Sequence, residues 1–305
     1  MTLLAELISR LPEAADRIRS DVPMSEHTTF RIGGPADIYC EPAGLEEIAA
    51  ILRYCRAQGV PCTYIGNGSN ILVADRGIRG VVLALGDNLS AIEQDGDTLR
   101  VQAGTKLSAA AAYAANHGLA GIEFAAGIPG TMGGAVWMNA GAYEHCMAEI
   151  IDWTEYLDDC LTLRRISQPE HHFANRKSMF SDQDYLIYRS QIRLAPDDPR
   201  NILRRMADMA ARRRASQPLD LPSAGSVFKR PPGYFAGKLI SDCGLKGCRV
   251  GEAEVSEKHA GFIINRGRAS AGDVWQLICR IRQTVTEQTG VDLEPEIRLV
   301  GDWQE

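Results

Sequence analysis

The chain has 305 residues, 45% hydrophobic and 24% charged, and its 33 basic and 39 acidic side chains leave a net charge of −6. Such proportions belong to a globular protein of about two domains, at roughly 100–200 residues each, and exclude a disordered chain, a collagen and a coiled-coil rod. The apolar runs fall far short of the ~20 residues that cross a bilayer, so no membrane partner is expected. The acidic balance argues against a dedicated nucleic-acid binder.

Leu4, Leu7, Ile8 and Leu11 predict an amphipathic first helix. Glu6 and Arg10 interrupt any export signal there, and the eight cysteines stand singly without a CxxC pair. Both features point to the cytoplasm, to buried thiols and to no metal site. Ile48, Ile51, Leu52 and Cys55 predict a second helix, closed by Gly59. Val60–Ile65 is a short apolar stretch, and Ile71–Val73 and Val81–Leu83 read as buried strands around a turn at Gly77 and Gly80. Leu99, Val101 and Ala103 alternate as a half-buried strand does, and Leu107–His117 is an alanine-rich helix stopped by Gly118. Asp152–Leu194 reads mostly as strands, which would turn His171 and His172 to opposite faces, and Pro196 and Pro199 mark a boundary. A helix over Asn201–Ala215 turns Ile202, Leu203, Met206 and Met209 inward, leaving Arg200, Arg204, Arg205, Arg212, Arg213 and Arg214 as a solvated face. The remainder predicts a short helix at Phe235–Asp242 and strands near Arg249–Val255 and Gly261–Asn265. It closes with a capped helix from Ser270 and Asp273 to Gly290 and a strand over Val291–Val300.

Two glycine-rich loops stand out. Gly66-Asn67-Gly68-Ser69-Asn70 begins like a dinucleotide fingerprint, but a third glycine is missing and a strand follows where that motif needs a helix. What remains is a tight turn or a nest of amides suited to phosphate oxygens. The second loop runs from Gly127-Ile128-Pro129-Gly130-Thr131-Met132-Gly133-Gly134 to Asn139-Ala140-Gly141. Its glycine density lets a flat ligand or a pyrophosphate approach the backbone, and favours a dinucleotide held without a Rossmann fold.

These loops occur in order with Thr28-Thr29-Phe30-Arg31-Ile32-Gly33-Gly34, Gly225-Ser226-Val227-Phe228-Lys229, Ala236-Gly237-Lys238-Leu239-Ile240 and Glu294-Pro295-Glu296. The set, from about Thr28 to Leu299, resembles the UDP-N-acetylenolpyruvoylglucosamine reductases, in their shorter type without an inserted substrate loop. The resemblance implies an α+β fold: a two-subdomain FAD-binding region of the vanillyl-alcohol-oxidase type, followed by a smaller α/β substrate-binding domain. The divisions expected are 1–75 and 76–200 for FAD and 201–305 for substrate. It implies FAD as cofactor, held by Tyr64, Gly66, Asn67, Gly68, Ser69, Asn70, Gly127, Pro129, Gly130, Gly133, Gly134, Asn139 and Gly141. It implies NADPH as co-substrate and a UDP-sugar, UDP-N-acetylglucosamine enolpyruvate, as substrate. No 2′-phosphate site shows by spacing, so NADPH over NADH comes from the resemblance alone.

The implied reaction moves a hydride from flavin N5 to C3 of the enolpyruvyl group. Arg176 and Glu296 stabilise the enolate and Ser226 protonates C2. Each residue type suits its role: a guanidinium meets growing carboxylate charge, a protonated carboxyl donates to an enol oxygen, and a hydroxyl serves as acid opposite a carbanion-like carbon. Asn175 stands where the family usually has tyrosine. Arg189 offers a similar Tyr-Arg-Ser context, but Phe173 and the strand Ile192-Arg193-Leu194 favour Arg176. Lys229, Lys238 and Lys246 are candidates for the UDP pyrophosphate or the substrate carboxylate. Alternation along the last strand puts Glu294, Glu296 and Arg298 on one face, and the family motif selects Glu296.

Overall fold

The computed structural model describes residues 2–303. Its helices are α1 (Leu3–Arg10), α2 (Leu45–Gln58), α3 (Leu107–Asn116), α4 (Met132–Trp137), α5 (Pro199–Ser216), α6 (Ala236–Asp242) and α7 (Ala271–Thr289). None is long and apolar enough to cross a membrane. Their ends follow local chemistry. Gly59 and Gly290 close α2 and α7 in the left-handed conformation, at φ 64° and 72°. At the start of α7, Ser270 and Asp273 form a reciprocal capping box.

The chain divides into two compact units. The first comprises Met1–Ser20, Ile38–Asn67 and Gly80–Arg213; the second comprises Asp21–Asp37, Gly68–Arg79 and Arg214–Glu305. The segments 1–75, 76–200 and 201–305 therefore cut across the compact units. Phe30, Ile32 and Leu72 belong to the same core as α6 and α7.

In the first unit an antiparallel five-stranded sheet runs in the order Leu163–Ser167, Ile151–Leu157, Leu186–Arg193, Thr98–Gln102, Ile92–Asp95. Cys62–Ile65 lies parallel to Val81–Ala84. The core gathers the inward stripe of α2 (Ile48, Ile51, Leu52, Cys55) with Leu99, Val101 and the alanines of α3. Small side chains let α3 approach closely.

In the second unit Arg249–Val250, Ala253–Val255 and Ile263–Asn265 form a short antiparallel sheet. Arg298–Val300 pairs in parallel with Ile71–Val73. The α7 stripe of Val274, Leu277, Ile278, Ile281 and Val285 is fully buried beneath them. The carboxylate of Asp75 accepts from the Ala271 and Gly272 amides at 2.8 and 3.0 Å, so an acid from a distant segment serves the positive end of α7.

Several expectations need correction. Residues 168–185 are not strand: Gln168–His171 and Met179–Asp182 are 3-10 turns, and His172 follows the first in the left-handed region. Buried His171 bonds Ser167 O and Thr154 Oγ1, so the two histidines do not alternate across a sheet. The last strand is only Arg298–Val300, because Pro295 has no amide to give a ladder. Leu293 and Ile297 are buried, but Leu299 is 39% exposed. Leu203 faces solvent at 47%, whereas Ile202 is buried. Gly77 and Gly80 do not share one turn, since a strand already starts at Ile78. Buried thiols hold for Cys40 and Cys55, while Cys160 and Cys279 are exposed.

Candidate active site

In the first unit the beginnings of the two glycine loops are stitched together. Asn67 Nδ2 donates to Pro129 O at 2.7 Å. A Cβ on Gly66 would collide with the Thr131 hydroxyl, so the glycine is what allows this approach. Gly130 O accepts the amide of Leu107, the first residue of α3, at 3.0 Å. Gly133 packs α4 onto Ala103: its amide donates to Ala103 O at 2.8 Å, and a Cβ would stand 2.9 Å from the Ala103 Cβ. Gly134 differs. It is exposed, and a Cβ there would meet only Thr131 Oγ1, at 3.6 Å.

Asn139 and Gly141 position the segment that carries Arg176. Asn139 is buried at φ 47°; its Nδ2 donates to Ala174 O at 3.0 Å and its Oδ1 accepts from Ala148 N at 3.0 Å. Its side chain is thus committed to the protein. Gly141 O accepts from Arg176 Nη1 at 3.2 Å. On the other side, Ser178 Oγ and Ser181 Oγ donate to Trp137 O at 2.6 and 3.1 Å, anchoring the turn to the end of α4. Between these anchors Arg176 sits at φ 56°, a left-handed conformation uncommon for any residue but glycine, with Asn175 exposed beside it.

Arg189 is held elsewhere. Its Nε donates to Glu155 Oε2 at 2.5 Å, and Arg165 binds the other oxygen at 2.6 Å. Burial pushes the Glu155 carboxyl up, but the two guanidinium bonds outweigh it and hold it below the usual carboxylate range. Tyr64 lies apart from the loops' bonds: burial raises its phenol, which faces Cys62, Asp184 and Arg56.

The second unit carries the rest of the first loop, with Ser226 and Glu296. Gly68 sits at φ 60°, where the His27 carbonyl would occupy the place of a Cβ, and its own carbonyl accepts from Thr29 N at 3.1 Å. Asn70 Nδ2 donates to Glu296 O at 3.2 Å, and Asn70 O accepts from Arg298 N at 3.0 Å. The Glu296 amide donates to Val227 O at 2.7 Å, and Val227 in turn donates to Gly261 O at 2.9 Å. Ser226, exposed, precedes that residue and bridges Phe262. Asn70, Glu296 and Ser226 are thus brought onto one backbone ladder from three distant stretches of sequence.

The three lysines are dispersed. Lys229 Nζ pairs with Glu294 Oε1 at 2.5 Å, Lys238 pairs along α6 with Asp242 at 2.7 Å, and Lys246 is exposed. Arg205 and Arg213 correct the expected solvated face of helix α5. Arg205 binds Glu123 Oε1 and Asp197 Oδ2, both at 2.7 Å. Arg213 is half-buried against Gly127. The missed signal was helical spacing, since Arg213 continues the stripe of Ile202, Met206 and Met209.

Comparison with known proteins defines the class of protein to which the chain belongs. Residues 36–162 match an FAD binding domain, and residues 217–300 match the C-terminal domain of UDP-N-acetylenolpyruvoylglucosamine reductase. The protein is an FAD-dependent oxidoreductase, with an α+β architecture of FAD-binding region and smaller substrate-binding domain. UDP-N-acetylenolpyruvoylglucosamine reductase of Agathobacter rectalis is 44% identical over 99% of both chains, and that of Syntrophomonas wolfei is 43% identical over 98% of this chain and all of its own. The crystal structure of the Thermus caldophilus reductase superposes with a TM-score of 0.81 at 37% identity, covering 93% of this chain and 99% of that one. The chain belongs to the UDP-N-acetylenolpyruvoylglucosamine reductase family, which serves peptidoglycan precursor synthesis.

Proposed function

We propose that this chain reduces UDP-N-acetylglucosamine enolpyruvate to UDP-N-acetylmuramate in the cytoplasm, with NADPH as the electron source. Segments 1–75 and 76–200 serve the flavin and 201–305 the substrate. The observation that carries the reading is the ladder joining Ser226 through Val227 to Glu296, and Glu296 to Asn70. It gathers a hydroxyl acid and a carboxyl from distant sequence onto one frame.

The residues present suit the cofactor. Among the described residues, the amides of Asn67, Gly68 and Ser69 donate to no protein acceptor. Consecutive free amides are the donor set that an anionic diphosphate requires. When bound, FAD supplies a hydride drawn from NADPH and passed to C3 of the enolpyruvyl group. Gly68, Gly127 and Gly134 provide bare backbone for it; Gly66, Pro129, Gly130 and Gly133 hold the loops against Thr131, Asn67, Leu107 and Ala103, and Asn139 and Gly141 act through the Arg176 turn. Arg176 balances the negative charge that grows on the substrate carboxylate. Glu296, protonated, donates to the enolate oxygen. Ser226 delivers its proton to C2. Lys229 lies closest in sequence to Ser226 and is the first candidate for the UDP diphosphate, ahead of Lys238 and Lys246.

Anaerobic stopped-flow separates the two halves. NADPH should bleach the Ser226→Ala flavoprotein at near the normal rate, because that half moves no proton to a substrate carbon. Reoxidation by UDP-N-acetylglucosamine enolpyruvate should slow by about 10²–10⁴-fold, the usual loss for a positioned general acid. Equal effects on both halves would remove Ser226 from the mechanism.

A further inference from the structure

His259 is not among the residues implied for the reaction, yet its ring is built into the frame that carries Ser226. It lies in a tight turn: Ser256 Oγ accepts the amides of Lys258 and His259 at 3.2 and 3.3 Å, and His259 O accepts from Phe262 N at 3.0 Å. The turn folds the imidazole back over its own exit, where Nδ1 accepts from Gly261 N at 3.1 Å. Glycine on both sides makes room for the ring. A Cβ would stand 3.0 Å from its Cε1 at Gly261 and 3.2 Å at Gly237, in the first turn of α6. The Phe262 ring packs against it edge to face, with centroids 4.9 Å apart.

The residue held by the ring also pairs with the serine's segment. Gly261 is buried; its amide donates to His259 Nδ1 and its carbonyl accepts from Val227 N at 2.9 Å. Phe262 bridges Ser226, and Val227 O accepts from Glu296 N at 2.7 Å. Gly261 therefore connects the imidazole to the segments of both the proposed acid and the proposed enolate partner. Because Nδ1 is an acceptor, the ring is neutral with its proton on Nε2. Burial, aided by the Lys246 ammonium, favours that state by lowering its pKa below 6.5. The other charges around it are engaged or exposed. Lys238 of α6 pairs with Asp242, Lys258 Nζ donates to Arg214 O, Arg249 and Arg266 bind Glu254, and Glu257 is exposed. We propose that His259 is a positioning residue for the substrate half of the reaction, its Nδ1 fixing Gly261 and, through Val227, the place of the Ser226 hydroxyl.

The inference rests on the reading of Ser226 as proton donor, and the test keeps the two apart. Anaerobic stopped-flow on the holoenzyme compares the wild type with Ser226→Ala, His259→Leu, His259→Asn and the double variant Ser226→Ala/His259→Leu. Leucine removes the acceptor, whereas the asparagine Oδ1 replaces Nδ1 without titrating. Flavin reduction by NADPH should be unchanged throughout. Reoxidation by UDP-N-acetylglucosamine enolpyruvate should slow roughly 10–100-fold in His259→Leu, the cost of a misplaced reacting group, and recover in His259→Asn. The double variant should be no slower than Ser226→Ala, because the ring acts only through the serine. Protonation of Nδ1 breaks its bond to Gly261, so reoxidation by the wild type should fall from pH 7 to 5 relative to His259→Asn. That ratio decides the matter even if His259→Leu does not fold. Normal reoxidation in His259→Leu, additive losses in the double variant, equal slowing of both halves or parallel pH profiles would each overturn the proposal. Normal reoxidation in Ser226→Ala would instead reject the serine as donor, and this inference with it.

Discussion

Gly134 and Gly68 look alike in the sequence and are constrained by different things. At Gly68 the His27 carbonyl occupies the space of a side chain and φ is 60°, so substitution breaks the protein before it reports on a ligand. At Gly134 the nearest atom to a Cβ is 3.6 Å away and the residue is exposed on α4. Gly134→Ala should leave apoprotein stability unchanged or raise it by up to about 1 kcal/mol through helix propensity. Gly134→Leu should cost flavin affinity, because the added bulk stands where a planar ligand would approach. Flavin occupancy after purification and apoprotein melting decide this; a fully occupied Gly134→Leu protein would make the glycine incidental. The two arginines separate in the same manner. Arg189→Ala leaves buried Glu155 with Arg165 alone and should cost about 1–3 kcal/mol of stability, with turnover per folded molecule retained. Arg176→Ala should leave the melting temperature nearly unchanged and abolish most turnover. The reverse pattern would move the catalytic role to Arg189.

Among the elements, the five-stranded sheet carries a pH-sensitive device outside the site. His171 is fully buried, with Nδ1 donating to Ser167 O at 2.9 Å and Nε2 at 2.8 Å from Thr154 Oγ1, itself 2.9 Å from Ser190 Oγ. Burial holds its pKa below the ordinary 6.5. The unfolded chain therefore takes up this proton first as pH falls, so stability is full above about 6.5 and declines toward the lowered native value. Denaturant midpoints from pH 7 to 5 should drop less in His171→Gln than in the wild type; identical slopes would show that His171 does not carry the effect. Asp75 tests a second element. Asp75→Ala leaves two amides of α7 without their acceptor and should cost about 1–2 kcal/mol, with faster hydrogen exchange at Ala271 and Gly272.

Elements were legible where their determinants are local. Helix α2 follows from its stripe and Gly59, and α7 from its capping box, stripe and Gly290; all of these signals lie within one stretch of chain. The turns around His171 and Met179 were not legible. Their capping serines, and the Trp137 carbonyl that anchors the second turn, are ordinary residues until the chain folds.

For the molecule as a whole, the second unit is assembled from three passes of the chain. Leu72 and Phe30 are fully buried in its core, and Ile71–Val73 supplies the parallel partner of Arg298–Val300. A fragment of 201–305 lacks all three and should show helical circular dichroism without cooperative unfolding. Cooperative unfolding of the isolated fragment would show that residues 201–305 form a self-sufficient domain.

The sequence by itself determined the family, the two glycine loops, the helices and the residue types available for the chemistry, because each is written in contiguous motifs or in periodicity. Tertiary structure alone decided which glycines serve the protein and which leave backbone open. It also decided that Arg189 belongs to Glu155 and that Asn70 and Val227, the neighbour of Ser226, meet on the Glu296 backbone. Each of these depends on a neighbour tens to hundreds of residues away, and one-dimensional spacing carries no record of such a neighbour.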